Sequence, residues 1–562
     1  MPTKRYRVAR LEVLTSVGSS VFSIFSGFLS IDIIIPQVCY NRDMKENGNW
    51  KLFLRPVLVM FAIYLVGISA ILLANVHYAD DVARTNYGYA GWSAFSRYIS
   101  TFLSHGVHAD GYLTNIAPLP QILASLVLAA TSVILICLVS GREIFKEKWT
   151  KWILRLIAVT PLAFCPYMLE CLSYQYDSIY MALSVFLAVM PFMFYRKKKW
   201  QFVLASVIGI LGVCMTYQAS IGIYLILAVF MPMKDWNNKT ASSKEIFKNI
   251  VVTGIVFLLT LVFFQKVLMR TQDIYVSNEV PGISELIPST FSHLMHYFEL
   301  LTNDFRLLWM IILTVMAAMF VALYAIRSKK NKILATIVGI LGLFLMIISA
   351  YIIYAVLEKP LYTTRAMYAI GVVIAIVGVY IASGEISKKF AKKRVGKRTE
   401  MTVWGSIRVN EIVLAIPVIA ICWCFFNFSF TYGNALNEQN NFRNMQIDMV
   451  ISDLNEIMND NSVRKIQAIG QIDFAPAIKH MPANKYHILR RLLKPSFETN
   501  VPWMAYRLTE GSGIPGIVYD PNINLANNNL PVLKDTALYI IYGDSDSILV
   551  KFKGEEFGIW ED

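Results

Sequence analysis

Long apolar runs alternate with short polar loops over most of the chain. A helix that crosses a bilayer needs about 20 mostly apolar residues, because the bilayer core holds no water to satisfy its backbone. The pattern therefore predicts a polytopic α-helical membrane protein with about eleven transmembrane helices. The predicted spans are residues 56–74, 116–139, 152–169, 178–195, 200–217, 219–233, 249–269, 305–326, 333–356, 366–383 and 409–431.

The pattern changes after Tyr432, where the long apolar runs end. Residues 437–458 have helical spacing, 464–470 read as a strand, and 537–542 with 547–552 predict a hairpin. We therefore divide the chain into a transmembrane domain over residues 56–432 and a soluble α/β domain over residues 433–562.

The first 55 residues contain one more apolar stretch, Leu14–Ile35. A polar stripe interrupts it, since serines recur at steps of three and four residues. Lys4 and Arg5 precede it, and a spanning helix would place them outside, against the charge rule. We predict an interfacial amphipathic helix in a cytoplasmic segment over residues 1–55. The serines are Ser16, Ser19, Ser20, Ser23, Ser26 and Ser30.

Composition supports the membrane class, since 56% of the 562 residues are hydrophobic and 16% are charged. The net charge of +14 invites a nucleic-acid interpretation, but its distribution argues against one. Residues 1–432 hold 40 Lys and Arg against 22 Asp and Glu, whereas residues 433–562 hold 12 against 16. The positive excess lies in alternate short loops, and cytoplasmic loops carry such an excess. The first span then runs outward, the N-terminus is cytoplasmic and the C-terminal domain lies outside. The basic loops are residues 141–151, 196–199, 234–248, 327–332 and 388–408.

The cysteines and histidines give little sign of a metal centre. All seven cysteines precede residue 433, so the outer domain has no disulfide framework. Cys422 and Cys424 have ligand-like spacing, yet they lie inside an apolar helix, where packing explains them. We predict no bound metal.

Candidate chemistry begins directly after the first span, with the adjacent acids Asp80 and Asp81. Arg84, Trp92 and Arg97 follow in the same outer loop, and this mixture of acids, cations and rings suits a sugar and a phosphate. One aspartate would accept a proton from an attacking hydroxyl. The alternative is structural, because Asp80 and Asp81 also suit the start of a helix.

The next outer loops add further candidates. Glu170, Tyr174 and Asp177 would bind sugar hydroxyls, or an acid among them would serve as the base or form an ion pair with Arg84 or Arg97. Arg365 lies at an outer boundary, where a lipid phosphate would be, and is the leading phosphate ligand ahead of Arg84 and Arg97.

Three uncharged side chains complete the candidate site. Gln121 and Gln218 lie just inside spans and would hydrogen-bond to sugar or pair helices. Trp92 would stack on a sugar ring or anchor at the interface.

The spaced residues Asp80-Asp81-x-x-Arg84, Pro118-Leu-Pro-Gln121 and Leu169-Glu170-Cys-Leu-Ser-Tyr174 resemble the phage-associated O-antigen glucosyltransferase family, type II. Thr216-Tyr-Gln218 and Tyr362-Thr-Thr-Arg365 are similar to that family too, as is the segment 432–439. The resemblance implies a GT-C-like glycosyltransferase in the bacterial inner membrane, with the C-terminal domain in the periplasm. It implies glucose transfer from a polyprenyl-phosphate donor to lipopolysaccharide O-antigen, and so serotype conversion. It also implies functional partnership with a flippase and a polyprenyl-phosphate glucosyltransferase.

The chemistry of the residues agrees with that resemblance, because phosphate is a good leaving group and needs cations rather than a general acid. One essential carboxylate is then enough, and direct displacement inverts the anomeric centre. Two other functions stay open. One is a transporter or flippase of lipid-linked sugars, and the other is an O-antigen polymerase or ligase.

Overall fold

The computed structural model describes residues 50–141, 149–269, 279–383, 402–403, 407–458, 464–479, 485–493, 506–523 and 530–554. The interfacial helix predicted over Leu14–Ile35 lies outside these residues, as do Cys39 and most of the basic loops 141–151 and 388–408.

Helices dominate the described chain. Short 3-10 turns at Trp92–Phe95, Gln218–Ser220, Thr364–Ala366 and Tyr506–Leu508 join some of them. In chain order the helices are α1 (Trp50–Ala74), α2 (Asp81–Tyr87), α3 (Tyr98–Val107), α4 (Leu119–Ser140), α5 (Trp149–Val159), α6 (Pro161–Phe164), α7 (Pro166–Ser173), α8 (Ser178–Val189), α9 (Lys199–Cys214), α10 (Ile221–Asn238), α11 (Ser243–Phe263), α12 (Ile283–Asp304), α13 (Leu307–Arg327), α14 (Lys332–Ser349), α15 (Ile352–Ala355), α16 (Ala369–Ala382), α17 (Val409–Ile457), α18 (Pro476–Lys479) and α19 (Leu489–Leu492).

Every predicted span contains a helix, so the polytopic helical class is confirmed. Seven described helices are long and apolar enough to cross a membrane, and a bent pair, Trp152–Phe164 with Pro166–Ser173, would make an eighth. The 62° bend falls at Cys165, because Pro166 has no N–H to donate and pushes its neighbour out of helical geometry. Three further apolar helices are shorter, so the count of eleven spans stays a prediction. They are Ser178–Phe194, Lys199–Cys214 and Ala369–Ala382.

Small residues let the first and last long helices approach closely. A Cβ on Gly433 of α17 would lie 2.5 Å from the carbonyl carbon of Ala70 in α1. One turn earlier, Ser429 Oγ donates a hydrogen bond of 2.7 Å to the Gly67 carbonyl. Close backbone approach of this kind is how helices gain packing contacts in a membrane.

Basic loops gather at one end of the helix bundle. Lys234 Nζ donates to the Leu138 carbonyl at 2.5 Å, Arg327 Nη1 donates to the Tyr380 carbonyl at 2.6 Å, and Arg196 pairs with Asp235. The loops with the candidate acids join the opposite ends of these helices. The structure therefore groups the loops as the alternating charge pattern predicts.

The predicted boundary at residue 432 falls inside a continuous helix. Helix α17 runs for 49 residues, so the last predicted span and the predicted helix over 437–458 are one element. Two short strands precede α17 in the chain, β1 (Thr402–Val403) and β2 (Ile407–Arg408), and five strands follow it. These are β3 (Arg464–Ile469), β4 (Ile517–Tyr519), β5 (Val532–Asp535), β6 (Tyr539–Gly543) and β7 (Ser547–Phe552).

The five later strands form one mixed sheet in the order β4-β3-β7-β6-β5. Strand β3 pairs in parallel with β4 and β7, while β6 pairs antiparallel with β5 and β7. The predicted strand over 464–470 and the predicted hairpin are confirmed. The end of α17 covers the sheet through Ile447, Val450 and Leu454, which explains the helical spacing there.

Part of the C-terminal region packs into the transmembrane core rather than on the sheet. Phe474, Tyr486 and Leu489 belong to the main apolar cluster, and the Tyr486 ring lies 5.6 Å from that of Trp309. The predicted outer domain is therefore divided, with its sheet packed on α17 and the segment around α19 packed on the membrane helices.

Candidate functional site

The adjacent acids Asp80 and Asp81 begin helix α2, and the structure gives them different surroundings. Asp80 is the N-cap residue, is half-buried, and makes no side-chain cap hydrogen bond. Asp81 is completely buried in the first turn. The structural alternative, that the pair begins a helix, is therefore present in the structure, without a capping bond from Asp80.

The Asp81 carboxylate joins two outer loops through backbone N–H groups. Gln175 N donates to it at 2.8 Å, Tyr78 N at 3.1 Å and Tyr176 N at 3.3 Å. Burial raises the pKa of Asp81 well above its usual value, and the N–H donors of Gln175 and Tyr78 oppose that rise. Its oxygens are occupied by main-chain contacts, so its evident task is to fix the loop 174–177 beside α2.

A buried cluster of Arg84, Trp92 and Asp177, which we term the Asp177 cluster, lies beside it. Arg84 Nε and Nη2 lie 3.2 and 3.3 Å from the Asp177 carboxylate oxygens. The Arg84 guanidinium also lies 4.1 Å from the Trp92 ring centroid, and Trp92 Nε1 donates to Asp177. The ion-pair alternative for Arg84 and Asp177 is therefore present in the structure.

A second group, which we term the Tyr174 cluster, contains Asp80, Glu170, Tyr174 and Arg365. Arg365 Nη1 donates to the Tyr174 hydroxyl, and its guanidinium carbon lies 5.7 Å from the Tyr174 ring centroid. Burial raises the pKa of Tyr174, the charge of Arg365 opposes that rise, and the charges of Glu170, Asp80 and Asp177 add to it. The structure thus brings three distant parts of the sequence together around one tyrosine.

Hydrogen bonds from neighbouring elements fix the backbone at Arg365. Thr364 Oγ1 donates to the buried Glu170, and Tyr217 Oη donates to the Arg365 carbonyl at 3.4 Å. Glu170 is therefore bound to the turn that carries Arg365. It is not ion-paired with Arg84, which contacts Asp177 instead.

Arg97 and Gln218 meet nearby, on separate loops. Arg97 Nε donates to Gln218 Oε1 at 3.2 Å, and its guanidinium lies 4.7 Å from the Tyr217 ring centroid. Gln121 is buried elsewhere and donates to the Leu172 carbonyl at 3.3 Å, as the helix-pairing alternative predicts. The roles of these residues in binding donor or acceptor stay predictions.

The sequence did not reveal a buried contact from the C-terminal region. Arg491 pairs with Asp304, to which Tyr167 Oη also donates at 2.7 Å, and Arg491 donates to the Tyr362 carbonyl as well. Tyr362 is three residues before Arg365, so the hydrogen bond from Arg491 of α19 fixes the loop that carries Arg365. Residues 304 and 491 are 187 positions apart, and no local pattern links them.

Tyr78 is a second omission, although only Ala79 separates it from the two acids. Its hydroxyl donates to the Leu492 carbonyl at 2.7 Å, and its ring lies 5.0 Å from that of Tyr174. It connects the acid-bearing loop, the Tyr174 cluster and the C-terminal segment. Its position inside the motif was the available signal.

Among the residues that the structure describes, no group of three or more His, Cys, Asp or Glu side chains is placed to hold a metal ion. His108 stacks on the Tyr176 ring, with the two ring centroids 5.6 Å apart.

The fold and site define a class: a polytopic helical membrane protein with a cluster of acids, arginine and tyrosine at one end of its bundle. Comparison with known families is more specific. The family described as glucosyl transferase GtrII matches residues 69–381, more than half of the chain. The chain belongs to this family, and the match includes every predicted site residue.

One curated relative is a protein of Salmonella phage P22 described as an uncharacterized 55.3 kDa protein in the gtrB 5' region. The two are 24% identical over 266 residues, which are 46% of this chain and 52% of the relative. The chain therefore spans about half the length of that relative. No solved structure matches the chain.

Proposed function

We propose that this protein is an inverting glycosyltransferase. It moves glucose, or a related hexose, from a polyprenyl-phosphate-linked donor to lipopolysaccharide O-antigen at the periplasmic face of the inner membrane. The observation that carries the proposal is the Tyr174 cluster, in which the half-buried Arg365 donates to a phenol group whose pKa the half-buried Asp80 also affects through its charge. Membership in the glucosyl transferase family supports the same class of reaction.

Asp80 is the base in this mechanism. It is half-buried and makes no capping bond, whereas Asp81 is buried under three backbone donors. The acceptor hydroxyl loses its proton to Asp80 as its oxygen bonds to the anomeric carbon. The bond from that carbon to the phosphate oxygen breaks on the opposite side, so the anomeric configuration inverts.

Arg365 stabilises the departing phosphate. A guanidinium donates two parallel N–H groups to a phosphate. The phosphate can then leave without a proton from a general acid. Glu170, through Thr364, and Arg491, through the Tyr362 carbonyl, hold the backbone that leads into Arg365. Preorganised donors of this kind act without further rearrangement.

Arg97 and Gln218 form the next layer of the proposed site. Both are half-buried and bonded to each other, so they are placed to bind the sugar or the phosphate together. We assign Arg84, Trp92 and Asp177 to positioning the loops, because all three are buried and satisfy one another. No metal is required by this scheme.

The direction of the reaction follows the charge pattern. Basic loops gather at the end opposite the Tyr174 cluster, and cytoplasmic loops are the basic ones. The proposed site then faces the periplasm, and a lipid-linked donor made in the cytoplasm must be flipped before use. A flippase and a polyprenyl-phosphate glucosyltransferase are the functional partners that this requires.

The test is a transfer assay with purified protein in nanodiscs. Radiolabelled glucose would be supplied as polyprenyl-phosphate-glucose, as a nucleotide-linked sugar, or as a diphosphate-linked glycan, each with O-antigen lipid as acceptor. The proposal expects transfer from the first donor alone, with inversion read by NMR of the product. Transfer from the diphosphate-linked glycan would identify a polymerase or ligase. Movement of the lipid-linked sugar across the bilayer without transfer would identify a flippase.

A further inference from the structure

Helix α17 carries a stripe of polar residues on one face beyond the membrane helices. Asn440, Arg443 and Asn444 are spaced three and four residues apart, so they lie on the same side of the helix. Arg443 Nη2 donates to Asn440 Oδ1. Arg507, from the turn Tyr506–Leu508, donates through Nη1 to Asn444 Oδ1. Two guanidinium groups therefore lie at this face of α17, that of Arg443 from the helix itself and that of Arg507 from the turn Tyr506–Leu508.

Arg443 and Arg507 bond to Asn440 and Asn444, which are one turn apart on α17, and burial together with the charge of Arg507 lowers the pKa of Arg443. Arg443 Nε is buried, and it has no hydrogen-bond partner among the residues that the structure describes. Burial lowers the pKa of Arg507, and the exposed Asp448 opposes this shift. Two cations close together in a half-buried site are unfavourable unless a bound anion offsets their charge.

The arginine pair is next to the loop that carries the proposed base. Burial lowers the pKa of His77, which is three residues before Asp80, and the charges of Arg507 and Arg443 lower it further. Its Nδ1 lies 3.4 Å from Thr85 Oγ1.

Gln175 extends this polar surface with neutral amides. Gln175 Nε2 donates to Asn75 Oδ1 at 2.9 Å, and Asn115 Nδ2 donates to Gln175 Oε1 at 2.9 Å. Side-chain amides offer both donors and acceptors, which suits sugar hydroxyls. A cationic patch thus adjoins amides on the same outer surface.

The height of the pair along α17 bears on its ligand. The apolar part of the helix begins at Val413, and a rise of 1.5 Å per residue places Arg443 about 45 Å further along. The hydrocarbon core of a bilayer is only about 30 Å thick. The pair then lies above the acyl chains and the adjoining headgroups, at the level of a glycan.

We propose that Arg443 and Arg507 bind an anionic group, a phosphate or a carboxylate, on the acceptor glycan. Arginine pairs with both groups through two parallel hydrogen bonds. Binding there would hold the glycan so that one of its hydroxyls reaches Asp80. This assignment rests on the proposed function for its role, but the binding itself can be measured without transfer.

The first experiment measures anion binding by the full chain in phosphatidylcholine nanodiscs. Inorganic phosphate is titrated at constant ionic strength against chloride, and thermal unfolding is followed. The wild type is expected to gain a saturable increase in Tm, which Arg443→Gln and Arg507→Gln each remove. Arg490→Gln, on the short helix α19, is the matched control and should keep the increase. Equal responses to phosphate and chloride, or an unchanged response in both variants, overturn the proposal.

A second arm separates a lipid headgroup from a glycan. Repeating the titration in phosphatidylglycerol nanodiscs should leave the phosphate response intact, since the pair lies above the headgroups. Loss of the response there would assign the site to the lipid and overturn the glycan assignment.

The third arm uses transfer. Acidic O-antigen and its carboxyl-reduced form are compared as acceptors, and Arg507→Gln should raise KM for the acidic form at least about tenfold, with kcat unchanged. An equal change for both forms contradicts acceptor recognition. If the wild type transfers nothing while phosphate still binds, the proposed function fails and the anion site stands.

Discussion

The Asp177 cluster and the Tyr174 cluster lie at the same end of the helix bundle and are built from similar residues. Each has an arginine, an aromatic ring and a carboxylate. In the Asp177 cluster all three side chains are buried and bonded to one another, whereas in the Tyr174 cluster Asp80 and Arg365 are half-buried. Composition alone does not distinguish a structural cluster from a site that can bind a substrate, but the exposure of the side chains does.

The adjacent aspartates repeat this contrast within two residues. Asp81 belongs to the buried side, where backbone N–H groups surround it, and Asp80 to the accessible side. The two clusters should therefore respond differently to substitution. Changes in the Asp177 cluster should cost stability, and changes in the Tyr174 cluster should cost activity.

The largest effect is expected from Arg84→Met. The substitution leaves Asp177 buried without its cation, which typically costs about 3–5 kcal/mol. Thermal unfolding of purified protein in nanodiscs would measure the loss. Arg97→Met is the control, since Arg97 is half-buried and bonded to a neutral amide. Full stability of Arg84→Met would show that the Asp177 cluster is not structural.

Arg365→Met should act on rate instead. Removing one preorganised donor from a developing charge typically lowers kcat about 10²–10³-fold. We expect thermal unfolding close to that of wild type and a loss of glucose transfer in the nanodisc assay. Arg365→Lys, which keeps the charge and loses the planar fork, should recover part of the rate. Unimpaired transfer by Arg365→Met would remove the residue from the site.

Arg491→Met tests whether the Tyr174 cluster depends on the C-terminal region. We expect a loss of about 3 kcal/mol, at the low end for a buried pair, because Tyr167 still donates to Asp304. Transfer should also fall, since the Tyr362 carbonyl loses its donor. Arg490→Met is the neighbouring control. A variant that unfolds normally and transfers at the wild-type rate would separate α19 from the site.

Asp81→Asn should have the smallest effect on the folded protein. An amide keeps one acceptor oxygen but turns its NH2 group toward a backbone donor, and a lost buried bond of this type costs about 1–3 kcal/mol. Chemical or thermal unfolding would register the change. Activity per folded molecule should stay near that of wild type.

Much of the fold was predictable because it depends on local patterns. Apolar runs located most helices of the bundle but not α12, and the contacts near the basic loops agree with the alternating charge pattern. The strands β4 and β5 were not predicted, since three or four residues carry too little periodicity. The continuity of α17 was not predicted, because the change in composition at Tyr432 does not interrupt the helix.

The site was predictable only to the level of residue type. Sequence reasoning selected Asp80, Asp81, Arg84, Asp177 and Arg365 but could not assign each to a buried or an accessible cluster. That assignment depends on contacts between distant segments, such as Arg84 with Asp177 and Arg491 with Asp304. Arg443, Arg491 and Arg507 also lie outside the residues that match the family.

The most direct measurement is glucose transfer by Asp80→Asn and Asp81→Asn in parallel, with each rate divided by the amount of folded protein. The account predicts that Asp80→Asn unfolds like wild type and loses about 10²–10⁴-fold in transfer, as expected for a missing general base. It predicts that folded Asp81→Asn remains active. An active Asp80→Asn beside an inactive, fully folded Asp81→Asn would contradict the division between the accessible and the buried acid.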